Sequence, residues 1–415
     1  MAALNAVWGQ GIRFAEGTFA EVLAQAKAEH KNVFIDFYTV WCGPCKVMSG
    51  EVFTDAEVGT YFNEKFVSYQ INAEDKAFAA EVAKYGVSAY PTLLIVDPSG
   101  KQLGVQVGAC EKDYLLKFAR IANGERLDFE AMYNKLKQDK NNDALVRDIL
   151  TDAPDYLVRQ SGPNRDRWQL RIERVYKDYC KRKSVADWMN PEDFKVLQLY
   201  HTEAAPNDEY LNYIMSHYDE VVKAVGENPV YQFVLPLHMG LLDEQARKGD
   251  LAYLASLDRV KGDMKPVYNA MMDFGGKDVY TGLKYLYDGY YYIYSKKDVD
   301  KYISLMDEYV KYLGPAIKGA DYLAMVDAMS EALSNKMPSR VAEKYIEWLT
   351  AAQLYELDPE NKLNSLVMLG DCYKELKNID LAKKCYNQAY MYSLQFNNPG
   401  LSAAVQRYVA ELEAE

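Results

Sequence analysis

Two cysteines separated by two residues have the clearest capacity for chemistry in this 415-residue sequence. Cys42 and Cys45 enclose a Gly-Pro pair and follow Trp41. A helix beginning at Cys42 would point free backbone N–H groups and the positive end of its dipole at the Cys42 sulfur, which favours the thiolate. Cys45 would lie one turn on, close enough for a disulfide, and Pro44 is tolerated in a first helical turn. The spacing therefore predicts redox chemistry, with Cys42 the accessible, reactive thiolate and Cys45 the inner, resolving thiol.

Zinc binding is the other chemistry that a Cys-x-x-Cys pair can indicate. A structural zinc site needs four ligands, usually two such pairs or one pair and two histidines. The chain has six Cys and four His, and no second Cys-x-x-Cys. We therefore expect no metal site, and the motif requires no bound cofactor.

The elements that must position the cysteines are predicted from the residues around them. The run 33–38, which contains Asp36, is typical of a strand buried on both faces. The neighbouring pattern predicts an edge strand at 12–14 and a helix at 18–29 that is opened by a Thr18–Glu21 capping box. It further predicts a strand at 66–71, a helix at 76–85, a hairpin at 92–107 and a closing helix at 111–122.

These residues resemble the thioredoxin family. Trp41 to Lys46 reads Trp-Cys-Gly-Pro-Cys-Lys and matches the thioredoxin active-site sequence at every position. The resemblance covers roughly the first 124 residues. It implies an α/β thioredoxin fold, with a mixed central sheet flanked by helices, and disulfide exchange through Cys42 and Cys45. It also implies that Asp36 handles the proton of the inner cysteine.

The resemblance extends to the residues that would contact the substrate. Tyr90-Pro91-Thr92 is similar to the family's cis-proline loop, and Val107-Gly108-Ala109 is similar to the segment beside it. In many thioredoxins a buried lysine partners the aspartate, and Tyr69 stands at the aligned position here. The substrate-binding residues implied by the resemblance are Trp41, Gly43, Pro44, Tyr90, Pro91 and Gly108.

From Glu125 onward the sequence has helical periodicity, with Tyr, Leu and Ala on one face. Breaks such as Asp152-Ala153-Pro154 and Asp358-Pro359 are spaced as in antiparallel helix pairs. We therefore predict two domains, thioredoxin-like at 1–124 and all-α at 125–415.

The clearest internal repeat lies at about 341–395. Seven of its residues match tetratricopeptide spacing, namely Leu366, Leu369, Gly370, Tyr373, Ala382, Tyr386 and Ala389. Upstream of about residue 340 the pattern indicates only a generic helical array. Such arrays stack helix pairs into curved surfaces that bind peptides or proteins.

Three features leave alternatives open. Seven tyrosines between Tyr280 and Tyr294 either pack between helices or line a ligand groove. Cys372 and Cys385 are either buried free thiols or a disulfide. Cys110 is either a regulatory thiol or a core side chain.

Charge and hydropathy restrict the partners. The net charge of −12 argues against nucleic acid and anionic membranes, and no run approaches the ~18 apolar residues of a membrane span. The start of the chain lacks the features of a secretory signal. The segments around the motif are similar to exported bacterial thioredoxin-like reductases, so we expect a periplasmic or otherwise exported protein, with a cytoplasmic one as the alternative.

The sequence thus predicts a thiol–disulfide oxidoreductase that reduces disulfide-bearing client proteins. An upstream thiol reductant would return the cysteine pair to the reduced form, and the helical domain would recruit the clients. The alternative is a peptide- or glycan-binding helical scaffold on which the thioredoxin fold is an accessory adaptor.

Overall fold

The chain divides into a first compact unit, Met1–Val175, and a second, Tyr176–Glu415. The computed structural model describes residues 11–396 and 398–414. All four of its strands lie in the first unit, and the described part of the second unit contains helices, turns and connections. The predicted fold class, a mixed sheet flanked by helices followed by an all-helical region, is confirmed.

The sheet has the strand order β2-β1-β3-β4. The central strand β1 pairs in parallel with β2 and antiparallel with β3, and β3 and β4 form an antiparallel hairpin. The predicted edge strand at 12–14 is reduced to a single bridge between Phe14 and Ser68. The strands are β1 (Asn32–Tyr38), β2 (Phe66–Asn72), β3 (Thr92–Val96) and β4 (Gln102–Val107).

The two faces of β1 belong to separate cores. Phe34 packs against Phe53 and Phe62 on one face, whereas Ile35 and Phe37 belong to the core on the other. Successive side chains of a strand point to opposite faces, so both sets are buried only when helices cover both sides of the sheet. This arrangement confirms the doubly buried strand before the cysteines.

Five helices accompany the sheet. Thr18 and Glu21 form the predicted capping box of the first helix. The second helix continues as a π-helical turn, Met48–Val52. The helix predicted at 76–85 is a 3₁₀ turn, Lys76–Phe78, followed by a short α-helix. The five are α1 (Phe19–Glu29), α2 (Gly43–Val47), α3 (Ala56–Lys65), α4 (Ala79–Lys84) and α5 (Lys112–Ala122).

The first unit continues beyond Gly124 into α6 (Phe129–Gln138), α7 (Asp143–Val158) and most of α8 (Gly162–Cys180). The Lys117 ammonium on α5 lies 3.4 Å from the Asp152 carboxylate of α7, and the Arg126 guanidinium lies 3.1 Å from the same carboxylate. Asp152 is buried, and removing either partner would leave its charge less compensated. These ion pairs join the predicted thioredoxin-like region to the helices that follow it.

Pro154 lies inside α7, where the sequence predicted a helix break. The ion pairs of Asp152 on the adjacent turn hold this part of α7 against α5. Asp358 instead caps the N-terminus of a helix that begins at Pro359, as the Asp-Pro break predicts.

Helices of the second unit follow one another closely along the chain. Cys372 and Cys385, on successive helices, are both buried free thiols. The helices are α9 (Pro191–Tyr200), α10 (Glu209–Ser216), α11 (Tyr218–Val225), α12 (Glu227–Lys248), α13 (Ala252–Lys261), α14 (Lys265–Met271), α15 (Val279–Tyr290), α16 (Val299–Leu313), α17 (Gly319–Ala332), α18 (Ser339–Ala352), α19 (Pro359–Glu375), α20 (Ile379–Ser393) and α21 (Pro399–Ala414). None of the helices in the described residues is long and apolar enough to cross a membrane.

The tyrosine-rich segment packs between helices. None of its seven tyrosines is exposed, and Tyr287 is almost fully buried. The Tyr294 hydroxyl donates a hydrogen bond to the Glu331 carboxylate, 2.6 Å away on α17. Arg247 of α12 stacks over the Tyr290 and Tyr294 rings. These contacts favour the interpretation that the tyrosines pack between helices over the interpretation that they line a ligand groove.

Close packing of α19 on α20 generates a prediction. A Cβ at Gly370 would overlap the ring of Tyr386, which is fixed by a 2.6 Å hydrogen bond from its hydroxyl to Asp371. Gly370→Ala should therefore destabilise the protein by about 1–3 kcal/mol, although Ala is the better helix former. Gly240→Ala, at an open position in α12, should instead stabilise it by up to about 1 kcal/mol. Guanidinium denaturation followed by circular dichroism measures both, and equal gains in the two variants would contradict this packing.

Candidate active site

Cys42 occupies the N-cap of α2, at the end of the loop that follows β1. Its backbone is extended, with φ −71° and ψ 108°, and the Cys45 backbone N–H donates a hydrogen bond to its sulfur across 3.1 Å. Pro44 lies in the first turn of α2, as predicted. An N–H donor and a helix N-terminus both favour negative charge on the sulfur they face. The local fold therefore provides the thiolate-stabilising geometry that the sequence predicts.

The two cysteines are joined by a disulfide. In this form Cys42 is 3 % exposed and Cys45 is 6 % exposed, so the greater exposure predicted for Cys42 is not present. The Cys42 sulfur is directed at the start of α2 and bonded to the Cys45 sulfur, and this orientation turns it away from solvent. The different roles predicted for Cys42 and Cys45 therefore depend on their positions at the start of α2, and not on their exposure in the disulfide form.

Asp36 is buried in the middle of β1, 2 % exposed. It shares a face of the strand with Phe34, whose core also contains Met48, three residues after Cys45. Burial raises the pKa of Asp36 to about 6, and a hydrogen bond from Gln70 partly opposes this shift. Within the described residues its Oδ1 has no hydrogen-bond partner. A carboxyl with such a pKa can accept or release a proton near neutral pH.

Gln70 takes the place beside Asp36 that a lysine holds in many thioredoxins. Its amide nitrogen donates to the Asp36 Oδ2 across 3.0 Å, and the two residues are register partners in the parallel β1–β2 pair. Tyr69, aligned with the lysine in sequence, points elsewhere, and its hydroxyl donates to the Gly17 carbonyl across 2.6 Å. Sequence reasoning missed Gln70 because the strand register was unknown.

A contact between Trp41 and Tyr90 joins the loop that precedes Cys42 to the loop that contains Pro91. Trp41 is 66 % exposed, and the two rings meet edge to face with centroids 6.1 Å apart. The indole N–H donates to the Glu74 carboxylate across 2.9 Å, a contact that no motif predicts because Glu74 follows a different strand. Gly43 and Pro44 are exposed beside the disulfide. The exposed residues form a surface on which a substrate can lie.

Pro91 and Gly108 are also adjacent. The Tyr90–Pro91 peptide is cis, which confirms the prediction for this bond. The Gly108 N–H donates to the Pro91 carbonyl across 2.8 Å, and its φ of +87° is a conformation that favours glycine. The predicted contact residues thus form two linked pairs, Trp41 with Tyr90 and Pro91 with Gly108. The one hydrogen bond described for Asp36 is to Gln70 and not to a cysteine.

Cys110 lies next to this region without the properties of a reactive thiol. Its backbone N–H donates to the Met48 sulfur across 3.3 Å. Burial raises the pKa of its thiol to about 11, so the thiolate is scarce at neutral pH. These properties favour the core interpretation of Cys110 over the regulatory one.

Comparison with known proteins assigns the family. The model of a thioredoxin-like domain matches residues 19–122. Thioredoxin from Chlamydia caviae is 37 % identical over 86 residues, which are 20 % of this chain and 76 % of that protein. The chain belongs to the thioredoxin family.

Other relatives of this thioredoxin-family protein match stretches of similar length. Thioredoxin from Haemophilus influenzae is 34 % identical over 86 residues, covering 21 % of this chain and 75 % of that protein. Protein disulfide-isomerase from Triticum aestivum is 27 % identical over 101 residues, which are 24 % of this chain. The match spans only 20 % of the wheat protein's length.

Among solved structures, the chain is similar to the solution structure of a candidate disulphide-isomerase from Bacteroides thetaiotaomicron. The sequence identity is 42 % and the TM-score is 0.26, with 28 % of this chain and 94 % of that chain covered.

Burial of Asp36 predicts a pH-dependent stability difference. Because its folded pKa of about 6 lies above the ordinary value of 3.8, ionisation is unfavourable in the folded state. The neutral carboxyl carries no such cost below about pH 4, and stability falls as pH rises through the folded pKa. Asp36→Asn should therefore gain about 2.4 kcal/mol relative to the wild type between pH 4 and pH 7.

Denaturation of both disulfide-form proteins at the two pH values measures this change. Subtracting the pH 4 difference removes effects of the substitution that do not involve ionisation. A stability difference that stays constant between pH 4 and pH 7 would contradict the described environment of Asp36.

Proposed function

We propose that this protein is a thiol–disulfide oxidoreductase that reduces disulfides in client proteins. The observation that carries the proposal is the Cys42–Cys45 disulfide at a helix N-terminus, with the Cys45 N–H directed at the Cys42 sulfur. The exposed Trp41 ring and the proline loop beside it supply a surface for an extended substrate. Membership of the thioredoxin family supports the same chemistry.

The proposed reaction has two exchange steps. The Cys42 thiolate attacks one sulfur of the client disulfide, forming a mixed disulfide and releasing the other client sulfur as a thiolate. Cys45 loses its proton and attacks the Cys42 sulfur, which breaks the mixed disulfide and frees the reduced client. The client disulfide has then gained two electrons, and the Cys42 and Cys45 sulfurs are left oxidised as a disulfide bond. An upstream thiol reductant must reduce that bond before the next cycle.

Asp36 is the proposed acceptor of the Cys45 proton. It lies on the β1 face whose core contains Met48, in the turn after Cys45, and its pKa of about 6 suits proton exchange near neutral pH. Gln70 orients the carboxylate by donating to Oδ2, and no residue in the described part of the chain donates a hydrogen bond to Oδ1. A water molecule at Oδ1 would provide a route for the proton.

We further propose that the helical region beyond the thioredoxin-like domain recruits the clients. Its C-terminal helices α19 and α20 pack through Gly370 and Tyr386, two of the residues that match tetratricopeptide spacing. A second binding surface on the same chain would raise the effective concentration of a client disulfide at Cys42.

An exported compartment, such as the periplasm, is the proposed location. The resemblance of the segments around the motif to exported thioredoxin-like reductases supports it. Fractionation of source cells with an antibody against the protein tests this proposal, and recovery solely with cytoplasmic markers would contradict it.

Loss of the Cys42 sulfur tests the enzyme proposal. Cys42→Ser should reduce the rate of disulfide reduction with dithiothreitol as donor by at least about 10³-fold, since the nucleophile is removed. Cys110→Ser serves as the matched control and should retain activity, because Cys110 has a raised pKa. Equal activity in Cys42→Ser and the wild type would end the enzyme proposal and favour the scaffold alternative.

A trapping experiment tests client recruitment. Cys45→Ser should accumulate mixed disulfides on Cys42, because the resolving thiol is absent. We expect a chain ending at Cys180, the last residue of α8, to keep small-disulfide reduction and to trap a different set of proteins. If that shortened chain reduces small disulfides and traps an unchanged set, the helices beyond α8 do not select clients.

A further inference from the structure

Strand β4 forms an open edge of the sheet. It pairs with β3 on one side, and β3 is its only neighbour in the strand order. Within the described residues, its backbone has no hydrogen-bond partner beyond β3 except the side chain of its own Gln106, which donates to the Val107 carbonyl. An unpaired strand edge offers a row of N–H and C=O groups to another extended chain.

The opposite edge of the sheet is protected. The Ala15 N–H donates to the Ser68 carbonyl of β2 across 2.8 Å, and Phe14 forms a bridge with the same residue. Most of β2 is buried. The short segment at 14–15 thus closes one edge, whereas β4 has no equivalent cover among the described residues.

Three of the four exposed side chains of β4 are apolar. Leu103, Val105 and Val107 are 39 %, 46 % and 57 % exposed. Gly104 faces the other way, toward α5, where a Cβ would lie 3.0 Å from the Phe118 ring. Side chains alternate along a strand, so Val105 and Val107 share the face directed away from α5, whereas Leu103 lies at the register shift between β3 and β4.

Strand β4 has one of the usual devices that prevent pairing, a register shift opposite Ile95 and Val96, and it lies at the start of the strand, away from Val105 and Val107. Charged residues and proline commonly protect exposed edges, and Gln102–Val107 contains neither. Leaving three apolar side chains exposed on an unpaired strand invites aggregation unless the edge has an occupant.

This edge leads directly into the active-site surface. Val107, the last residue of β4, precedes Gly108, whose N–H donates to the Pro91 carbonyl across 2.8 Å. A chain lying along β4 would therefore reach the loop that carries Tyr90, which contacts Trp41.

We propose that the β4 edge binds an extended apolar segment of the client as an additional strand, next to the client's disulfide. The segment is rich in β-branched and other apolar residues, carries no proline, and belongs to an unfolded or locally unfolded protein, because a folded chain has few such segments free. This inference rests on the proposed reductase function. The reductase would thereby favour disulfides in exposed extended chains over equally accessible disulfides in folded ones.

The test uses three synthetic substrates on the full-length protein. The first is a peptide with a two-cysteine disulfide loop followed by six alternating valines and threonines. The other two carry N-methyl groups on either the odd or the even residues of that segment, which removes hydrogen-bond donors while keeping the side chains. The readout is kcat/KM for each peptide divided by kcat/KM for 5,5′-dithiobis(2-nitrobenzoate), and this ratio corrects for any change in the redox centre.

Strand pairing predicts a register-dependent loss. In a bound strand only alternate N–H groups face the partner, so one methylated peptide should lose about tenfold in the ratio and the other should lose little. Val105→Lys should lower the ratio for the unmethylated peptide by a similar factor and abolish the difference between registers. Leu170→Lys, at a 63 % exposed leucine of α8, is the matched control and should behave as the wild type.

Three outcomes would overturn the proposal. Equal ratios for the two methylated peptides would show that backbone pairing plays no part. An unchanged ratio in Val105→Lys would show that the edge is not used. Sedimentation that finds a wild-type dimer and a Val105→Lys monomer would assign the edge to a second copy of the chain. Failure of the wild type to reduce 5,5′-dithiobis(2-nitrobenzoate) would instead refute the proposed function itself.

Discussion

The proposed chemistry depends on one local constraint, the position of the Cys42 sulfur at the start of α2. The hydrogen bond from the Cys45 N–H exists because β1 delivers the chain, through a short loop, to a helix that begins immediately after Cys42. Because β1 is buried on both faces, the position of its C-terminal end in the sheet is fixed. A weaker core around β1 would loosen both the geometry at the Cys42 sulfur and the burial of Asp36 on the same strand.

The same burial creates the electrostatic character of the site. Asp36 shares the central strand with large apolar side chains, and its raised pKa follows from their exclusion of water. Gln70 is a neutral partner, so it orients the carboxylate without adding the positive charge that a lysine would bring. The chain thus keeps a buried proton acceptor at some cost in stability at neutral pH, as functional sites commonly do.

Local patterns predicted the elements around the site well. The strand before the cysteines, the capping box of α1 and the helix start at Cys42 are encoded in short stretches of sequence. The cis peptide at Pro91 was predicted from the resemblance to the thioredoxin family. The partnerships of Gln70 and Glu74 were not predictable, because they depend on strand register and on loops that meet only in the fold. The continuation of α7 through Pro154 was not predictable for a similar reason, since the ion pairs of the neighbouring Asp152 are formed by residues distant in sequence.

Selective labelling of the reduced protein shows whether the start of α2 stabilises the Cys42 thiolate. A brief pulse of iodoacetamide near pH 6, followed by peptide mass spectrometry, reports which cysteine is a thiolate. We expect modification of Cys42 alone, because only the first cysteine faces the helix start. Cys110, with its raised pKa, is the internal control and should remain unmodified. Preferential labelling of Cys45, or equal labelling of Cys42 and Cys110, would contradict the account.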